Sequence, residues 1–201
     1  MKPFSIVKFQ VEFLNDSFVA DERLAELSEW CFRFDTLGLT PRFNGNGRSL
    51  GNLSYRLESG KPEFIITGSS LDSKGHLEAQ DFVKVLAADP ATKRVQVEGK
   101  RDPSSESILH YEIYRARPDV GAVFHGHDRE LLDSARCLDI PETRQEELPG
   151  TVELLRQVLD ILGNHQFLIM KNHGFLALGR TMSEAGSLAL EMKRRWDSKK
   201  S

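Results

Sequence analysis

Apolar and polar residues alternate along residues 5–13, SIVKFQVEF, and predict a strand. Leu24, Leu27, Cys31 and Phe34 then recur at helical spacing, with Gly38 and Pro41 as stop signals. The glycine-rich FNGNGRSLG leads into NLSYRLE. There Leu53, Tyr55 and Leu57 take one face of a strand, and Asn52, Ser54 and Arg56 take the other. ESGKP reverses the chain into EFIIT as a hairpin. SLDSKGHLEA reads as a turn and short helix. DFVKVLAAD and RVQVEG, joined by PATK, form a second hairpin.

The second half continues the alternation of element types. PSSESILHYEIYRARP predicts a helix with Ser104 or Ser105 as N-cap and Pro118 as its stop. The apolar VGAVFH is short enough only for a buried strand. GTVELLRQVLDILG puts Val152, Leu155, Val158, Leu159 and Leu162 on one helical face. QFLIMKNHG and FLALG read as strands separated by a glycine turn. Thr181 and Glu184 form a capping box that opens a last helix, with Ala185, Leu188, Ala189, Met192 and Trp196 inward. No repeat, low-complexity tract or linker divides the pattern. It describes one mixed α/β domain over residues 1–201.

Composition narrows the class. The chain has 201 residues, 39% hydrophobic and 28% charged, as expected of a soluble globular protein with a substantial core. A net charge of −3 excludes a general nucleic-acid binder, which needs a basic excess against phosphates. The one basic cluster, Lys193, Arg194, Arg195, Lys199 and Lys200, reads as cations at a helix C-terminus facing water. No apolar stretch approaches a membrane span, and Lys8 and Glu12 interrupt the N-terminal apolar pattern, so no signal peptide is expected. Cys31 and Cys137 lie far apart without metal or redox spacing, which points to a reducing cytoplasm.

Candidate chemistry begins at VGAVFHGHDREL. On a strand His125 and His127 share a face, and imidazoles so spaced converge on one ion. Alone, the pair is a weak signal. His76 and His165 sit in polar turns, and His110 lies inside a helix. His173 instead ends the apolar FLIMKN beside Gly174, where a side chain reaches a cleft. Two strand ends supplying three histidines make an open catalytic zinc site. Glu106, in the first turn of the preceding helix, is the candidate acid or base, and it equally suits the helix dipole. PSSE at that helix start, Gly51 with Asn52, and Thr67 to Ser70 offer hydroxyls and backbone donors for a phosphorylated or oxygen-rich ligand.

Taken in order, GNLSYR, IITGSS, PSSESILHYEIYRARPDVGAVFHGH and KNHGFLALGRTMSEAGSLALEMK strongly resemble the class II aldolase/adducin family, from about Leu24 to about Trp196. Against the family, residues 1–20 look like an extra N-terminal segment. The resemblance implies a three-layer α/β/α fold around a central, largely antiparallel sheet, and a homotetramer. It implies that His125, His127 and His173 hold Zn2+ or another divalent transition metal. Glu106 takes the place of the family's acid/base, and Asn52, Thr67, Gly68, Ser104 and Ser105 the places that hold a substrate phosphate. The implied reaction cleaves or forms a carbon–carbon bond in a small ketose 1-phosphate through a metal-stabilised enediolate. The alternatives are a dehydratase, such as the methylthioribulose-phosphate enzyme, and a non-catalytic adducin-like assembly domain. Glu106, where the epimerase branch usually has aspartate, favours aldolase or dehydratase.

Three departures bear on that reading. DRELLDSARCLDIPETRQEELPG contains no tyrosine, and neither does the tail after Trp196, whereas the sugar-phosphate aldolases take a tyrosine proton donor from these regions. Asp128 and Arg129 follow the histidine pair where small or hydroxyl residues are usual. The chain between His127 and His173 is short for such an aldolase.

Overall fold

The structure, a computed structural model, describes residues 9–135 and 137–200. The first residues of the expected N-terminal strand lie outside that range. Its remainder forms β1 (Gln10–Asn15). The order then runs α1 (Leu24–Thr36), β2 (Asn52–Arg56), β3 (Phe64–Thr67), β4 (Phe82–Asp89), β5 (Arg94–Gly99), α2 (Ser107–Ala116) and β6 (Ala122–Gly126). It closes with α3 (Arg129–Leu132), α4 (Val152–Leu162), β7 (Phe167–Met170), β8 (Gly174–Gly179) and α5 (Met182–Lys200). The turn-and-helix expected before β4 is a single 3-10 turn, Ala79–Asp81.

The strands make one mixed eight-stranded sheet in the order β1-β5-β4-β3-β2-β6-β8-β7. Only the edge pairing of β1 with β5 is parallel. The other neighbours are antiparallel, because hairpin turns join β2 to β3, β4 to β5 and β7 to β8. Helices cover both faces. Leu27, Trp30, Cys31 and Phe34 of α1 pack with Ala185, Ala189 and Met192 of α5 against Leu53, Tyr55, Phe124 and Phe175. On the other face, Leu109 and Ile113 of α2 and Leu154, Leu155 and Val158 of α4 meet Ile66, Val83, Val123 and Leu176. Each such fully buried side chain contributes roughly 1.5–3 kcal/mol.

Both faces of β2 are buried, the polar one included, because β2 is central and α2 covers that face. One expectation changes: α2 begins one or two residues later than the expected Ser104 or Ser105 cap. Its N-cap is Glu106, with Ser104 and Ser105 in the turn before it. Ser104 still shapes that turn, because its carbonyl accepts from the Ser107 amide at 3.0 Å and the Ser107 hydroxyl at 2.7 Å.

Candidate metal centre

β6 carries the first candidate ligand, His125. The register pairs His125 with Asn52 on one side and Leu176 on the other, in the centre of the sheet. Side-chain alternation turns His125 and Val123 to the α2 face, while Phe124 and Gly126 turn to α1 and α5. Gly126 has to be glycine there, since a Cβ would stand 2.4 Å from the Phe175 ring and 2.9 Å from the Leu39 carbonyl. His127 follows the strand end, anchored by its amide to the Leu39 carbonyl at 2.7 Å.

His173 comes from the turn between β7 and β8, not from a strand end. Asn172 takes the left-handed backbone conformation at φ 55°, so asparagine rather than glycine makes the turn. The His173 amide donates to the Met170 carbonyl, and the Lys171 amide to Thr143 Oγ1 at 2.9 Å. Gly174 lets the ring of His125 in: a Cβ there would lie 2.5 Å from His125 Cε1. The stretch between His127 and His173, where the chain departs from its resemblance, therefore braces the turn that carries His173, the third candidate ligand, through Thr143.

The three rings stand 4.6, 5.1 and 5.1 Å apart between centroids. One nitrogen from each lies within 4.8 Å of the others. His125 Nδ1 faces the Phe175 carbonyl at 2.9 Å. A carbonyl only accepts, so Nδ1 carries the proton and Nε2 turns to the centre. Burial, and then the neighbouring His125 and His173, hold the His127 pKa well below the usual imidazole value, which keeps it neutral. Three imidazoles, His125 buried and His127 and His173 half-buried at the cleft, fit zinc's nitrogen preference.

Glu106 reaches this centre from the α2 N-cap. Its Oε2 lies 3.0 Å from His125 Nε2 and accepts from Asn52 Nδ2 at 2.8 Å. Its Oε1 stands 3.5 Å from His173 Nε2 and accepts no hydrogen bond. Burial pushes this carboxyl up, but the attraction of His125 and His173, the Asn52 bond and the attraction of His127 outweigh it and hold it at about 2. One turn on, His110 is fully buried with Nδ1 2.7 Å from the Ser54 hydroxyl, and burial lowers its pKa to about 3. It faces Ser54 and stays outside the ligand set. His76 and His165 are exposed, as expected.

A cleft of about 390 Å³ opens onto His127, His173 and Glu106. Asn52, Gly68, Ser104 and Ser105 line it, with Ser69 and Ser70 beside them. Thr67 does not: it is fully buried, and its hydroxyl accepts from the Leu53 amide at 3.4 Å. The Gly68 amide is likewise spent on the Asp81 carbonyl at 2.7 Å. The sequence stretch TGSS thus presents its second half to the cleft. Arg48 and Lys74 also line it, and no motif singled them out. A larger surface groove, between α1 and the 3-10 turn, gathers no metal-ligating set among the described residues.

Asp128 has a structural role beside the histidines. Its carboxylate caps α3 by accepting from the amides of Glu130 and Leu131, and it pairs with Lys193 at 2.6 Å. Lys193 is thereby tied to the metal loop, whereas the sequence had placed it in water with the other C-terminal cations.

The family model of the class II aldolase and adducin N-terminal domain matches residues 25–196. A 5-methylthioribulose-1-phosphate/5-deoxyribulose-1-phosphate aldolase from Rhodospirillum rubrum is 31% identical over 174 residues, covering 79% of this chain and 71% of that protein. A methylthioribulose-1-phosphate dehydratase from Pectobacterium atrosepticum is 32% identical over 162 residues, covering 67% and 75%. Among solved structures, an L-fuculose 1-phosphate aldolase superposes with TM-score 0.70 at 24% identity, covering 90% of this chain and 85% of that one. A sugar-phosphate aldolase from Thermotoga maritima gives 0.72 at 18% identity, covering 88% and 92%.

Proposed function

This chain belongs to the class II aldolase and adducin family, and from that premise we propose that it is a zinc-dependent lyase acting on a small ketose 1-phosphate. One observation carries the reading: a buried carboxylate, Glu106, sits among three converging histidines at the floor of an open cleft. An assembly domain has no use for that arrangement. His125, His127 and His173 would hold a zinc ion, or another divalent transition metal, which would supply Lewis-acid polarisation of the substrate.

The chain's own residues do the rest. Asn52 fixes Glu106 Oε2, which leaves Oε1 to exchange a proton with the substrate carbon beside the carbonyl. In the cleavage direction the hydroxyl on the next carbon gives its proton to solvent in the open cleft and becomes the aldehyde carbonyl as the carbon–carbon bond breaks. Protonated Glu106 gives its proton to the near fragment's carbon, to be reprotonated from solvent. Ser104 and Ser105, with Asn52, hold the phosphate where the turn before α2 presents donors, and Gly68, whose amide is taken by the Asp81 carbonyl, lines the cleft beside them. Thr67 supports that wall from behind.

Dehydration of the same substrate class is the second reading, favoured by the named activity of the Pectobacterium relative. It runs that proton transfer in reverse: Glu106 takes the proton from the carbon beside the carbonyl, and the hydroxyl on the next carbon takes up a proton and leaves as water. The reading extends to a cytoplasmic homotetramer. Cys31 and Cys137 are both free thiols, as that compartment favours, and no helix among the described residues is long and apolar enough to cross a membrane.

The test is incubation of the zinc-loaded chain with fuculose 1-phosphate and methylthioribulose 1-phosphate. Release of dihydroxyacetone phosphate supports the lyase. A dehydrated diketone without it moves the assignment to the second reading. Neither product from a fully zinc-loaded chain rejects both in favour of the assembly domain.

A further inference from the structure

We propose that Lys74 and Arg48 form a cationic subsite in the wall of the metal cleft that takes the anionic group of the ligand; the identification of that group as a phosphate rests on the function proposed above.

Lys74 is an unusual lysine. It is 2% exposed, yet it lines the cleft. Its Nζ donates to two neutral acceptors, Ser49 Oγ and the Leu50 carbonyl, each at 3.0 Å. Asp35 is the carboxylate held nearest to it in the bonding pattern, and its oxygens are engaged elsewhere: Oδ1 by the Lys74 amide at 3.3 Å, Oδ2 by the Ser73 hydroxyl at 3.1 Å. Among the described residues no acidic group forms an ion pair with the Lys74 ammonium. A buried charge without a counter-charge is costly, and an ammonium has three donors, of which two are used. Burial depresses its pKa to about 8, outweighing the upward pull of Cys31 and Asp35.

Arg48 stands on the loop that Lys74 anchors. Its guanidinium donates to Ser70 Oγ at 2.6 Å and likewise forms no ion pair among the described residues. Guanidinium offers paired donors that match phosphate oxygens, and the ammonium adds a point charge. The cleft's own carboxylate does not neutralise them. Glu106 is the acidic residue lining it, and it is already engaged by Asn52 and His125. Two unspent cations therefore face a cleft also lined by the hydroxyls of Ser69, Ser70, Ser104 and Ser105. A phosphate monoester, with about −1.5 to −2 charges and three acceptor oxygens, matches that set in charge and donor count.

The test is calorimetric titration of inorganic phosphate into the zinc-loaded full chain, with Lys74→Met and Arg48→Gln. Phosphate binding to the parent chain and a loss of about tenfold or more in each variant, with zinc content unchanged, are expected. An unchanged affinity in either folded variant overturns the subsite, as does absence of phosphate binding by the parent. If Lys74→Met does not fold, Arg48→Gln, on the loop surface, decides alone. Turnover is assayed separately. Phosphate binding that depends on both cations, without turnover of any ketose 1-phosphate, keeps the subsite and removes the proposed reaction. Turnover with an unaltered KM in both variants does the reverse.

Discussion

Asn52 Nδ2 donates to Glu106 Oε2 at 2.8 Å, joining residues 54 positions apart. The bond is the first rung of a buried ladder between every second residue of β2 and every fourth of α2. The Ser54 hydroxyl lies 2.7 Å from His110 Nδ1 and 2.8 Å from Tyr114 OH. Arg56 donates to the carbonyls of Tyr114 and Arg117, each at 2.7 Å. Two strand residues rise about 6.6 Å and four helix residues about 6 Å, so successive rungs stay nearly in step. The ladder aims the N-cap of α2, and with it Glu106, at the histidines.

Asn52→Leu tests the first rung. The variant keeps the zinc ligands and loses the donor that fixes Glu106. Turnover is expected to fall roughly 10–100-fold with metal content unchanged, the usual cost of losing a partner that orients a reacting group. Steady-state kinetics beside metal analysis measures it; undiminished turnover removes Asn52 from the machinery.

His125→Ala removes the most buried ligand. Metal binding is expected to be abolished while the circular dichroism spectrum stays close to that of the parent, because the sheet around β6 keeps its hydrogen bonds. Undiminished zinc content in the purified variant would sink the ligand assignment.

Gly174→Ala leaves every ligand in place but puts a Cβ 2.5 Å from His125 Cε1 and from the Gly126 carbonyl oxygen. His125 must move. Zinc affinity is expected to drop about 10–100-fold, read by competition with a chromogenic chelator. Parent-like affinity means that the backbone yields and the close approach is not required.

His110 gives a pH prediction. Its folded pKa of about 3 lies below the unfolded value of about 6.5, so between these values the unfolded chain binds the extra proton. The stability it confers is whole above the unfolded value and is lost as pH falls toward 3, at up to about 1.4 kcal/mol per unit. His110→Asn does not titrate there. Urea unfolding at pH 7 and pH 5 should show a smaller acid loss in the variant than in the parent, and equal losses would contradict the buried neutral imidazole.

Much of this was legible along the chain. The HxH pair at the end of an apolar run, the two-faced alternation of β2 and the amphipathic periods of α4 and α5 are local patterns, and local patterns survive folding. Leu154 was missed on α4, since a helix wedged beneath a sheet buries a wider stripe than one strict face. The polar face of β2 is buried for a related reason: alternation reports that a strand has two faces, but not what covers the second.

By itself the sequence determined which residue types could do chemistry and which elements carry them, through periodicity, glycine placement and the order of motifs. Only the tertiary structure decided that Glu106 caps α2 and meets the histidines, that His173 arrives from a turn braced by Thr143, and that Thr67 faces away from the cleft. It also brought Lys74 and Arg48 to one wall without a carboxylate between them. Such juxtapositions join residues far apart in the chain. They depend on strand register and on which helix covers which face, and no short-range pattern of side chains encodes either.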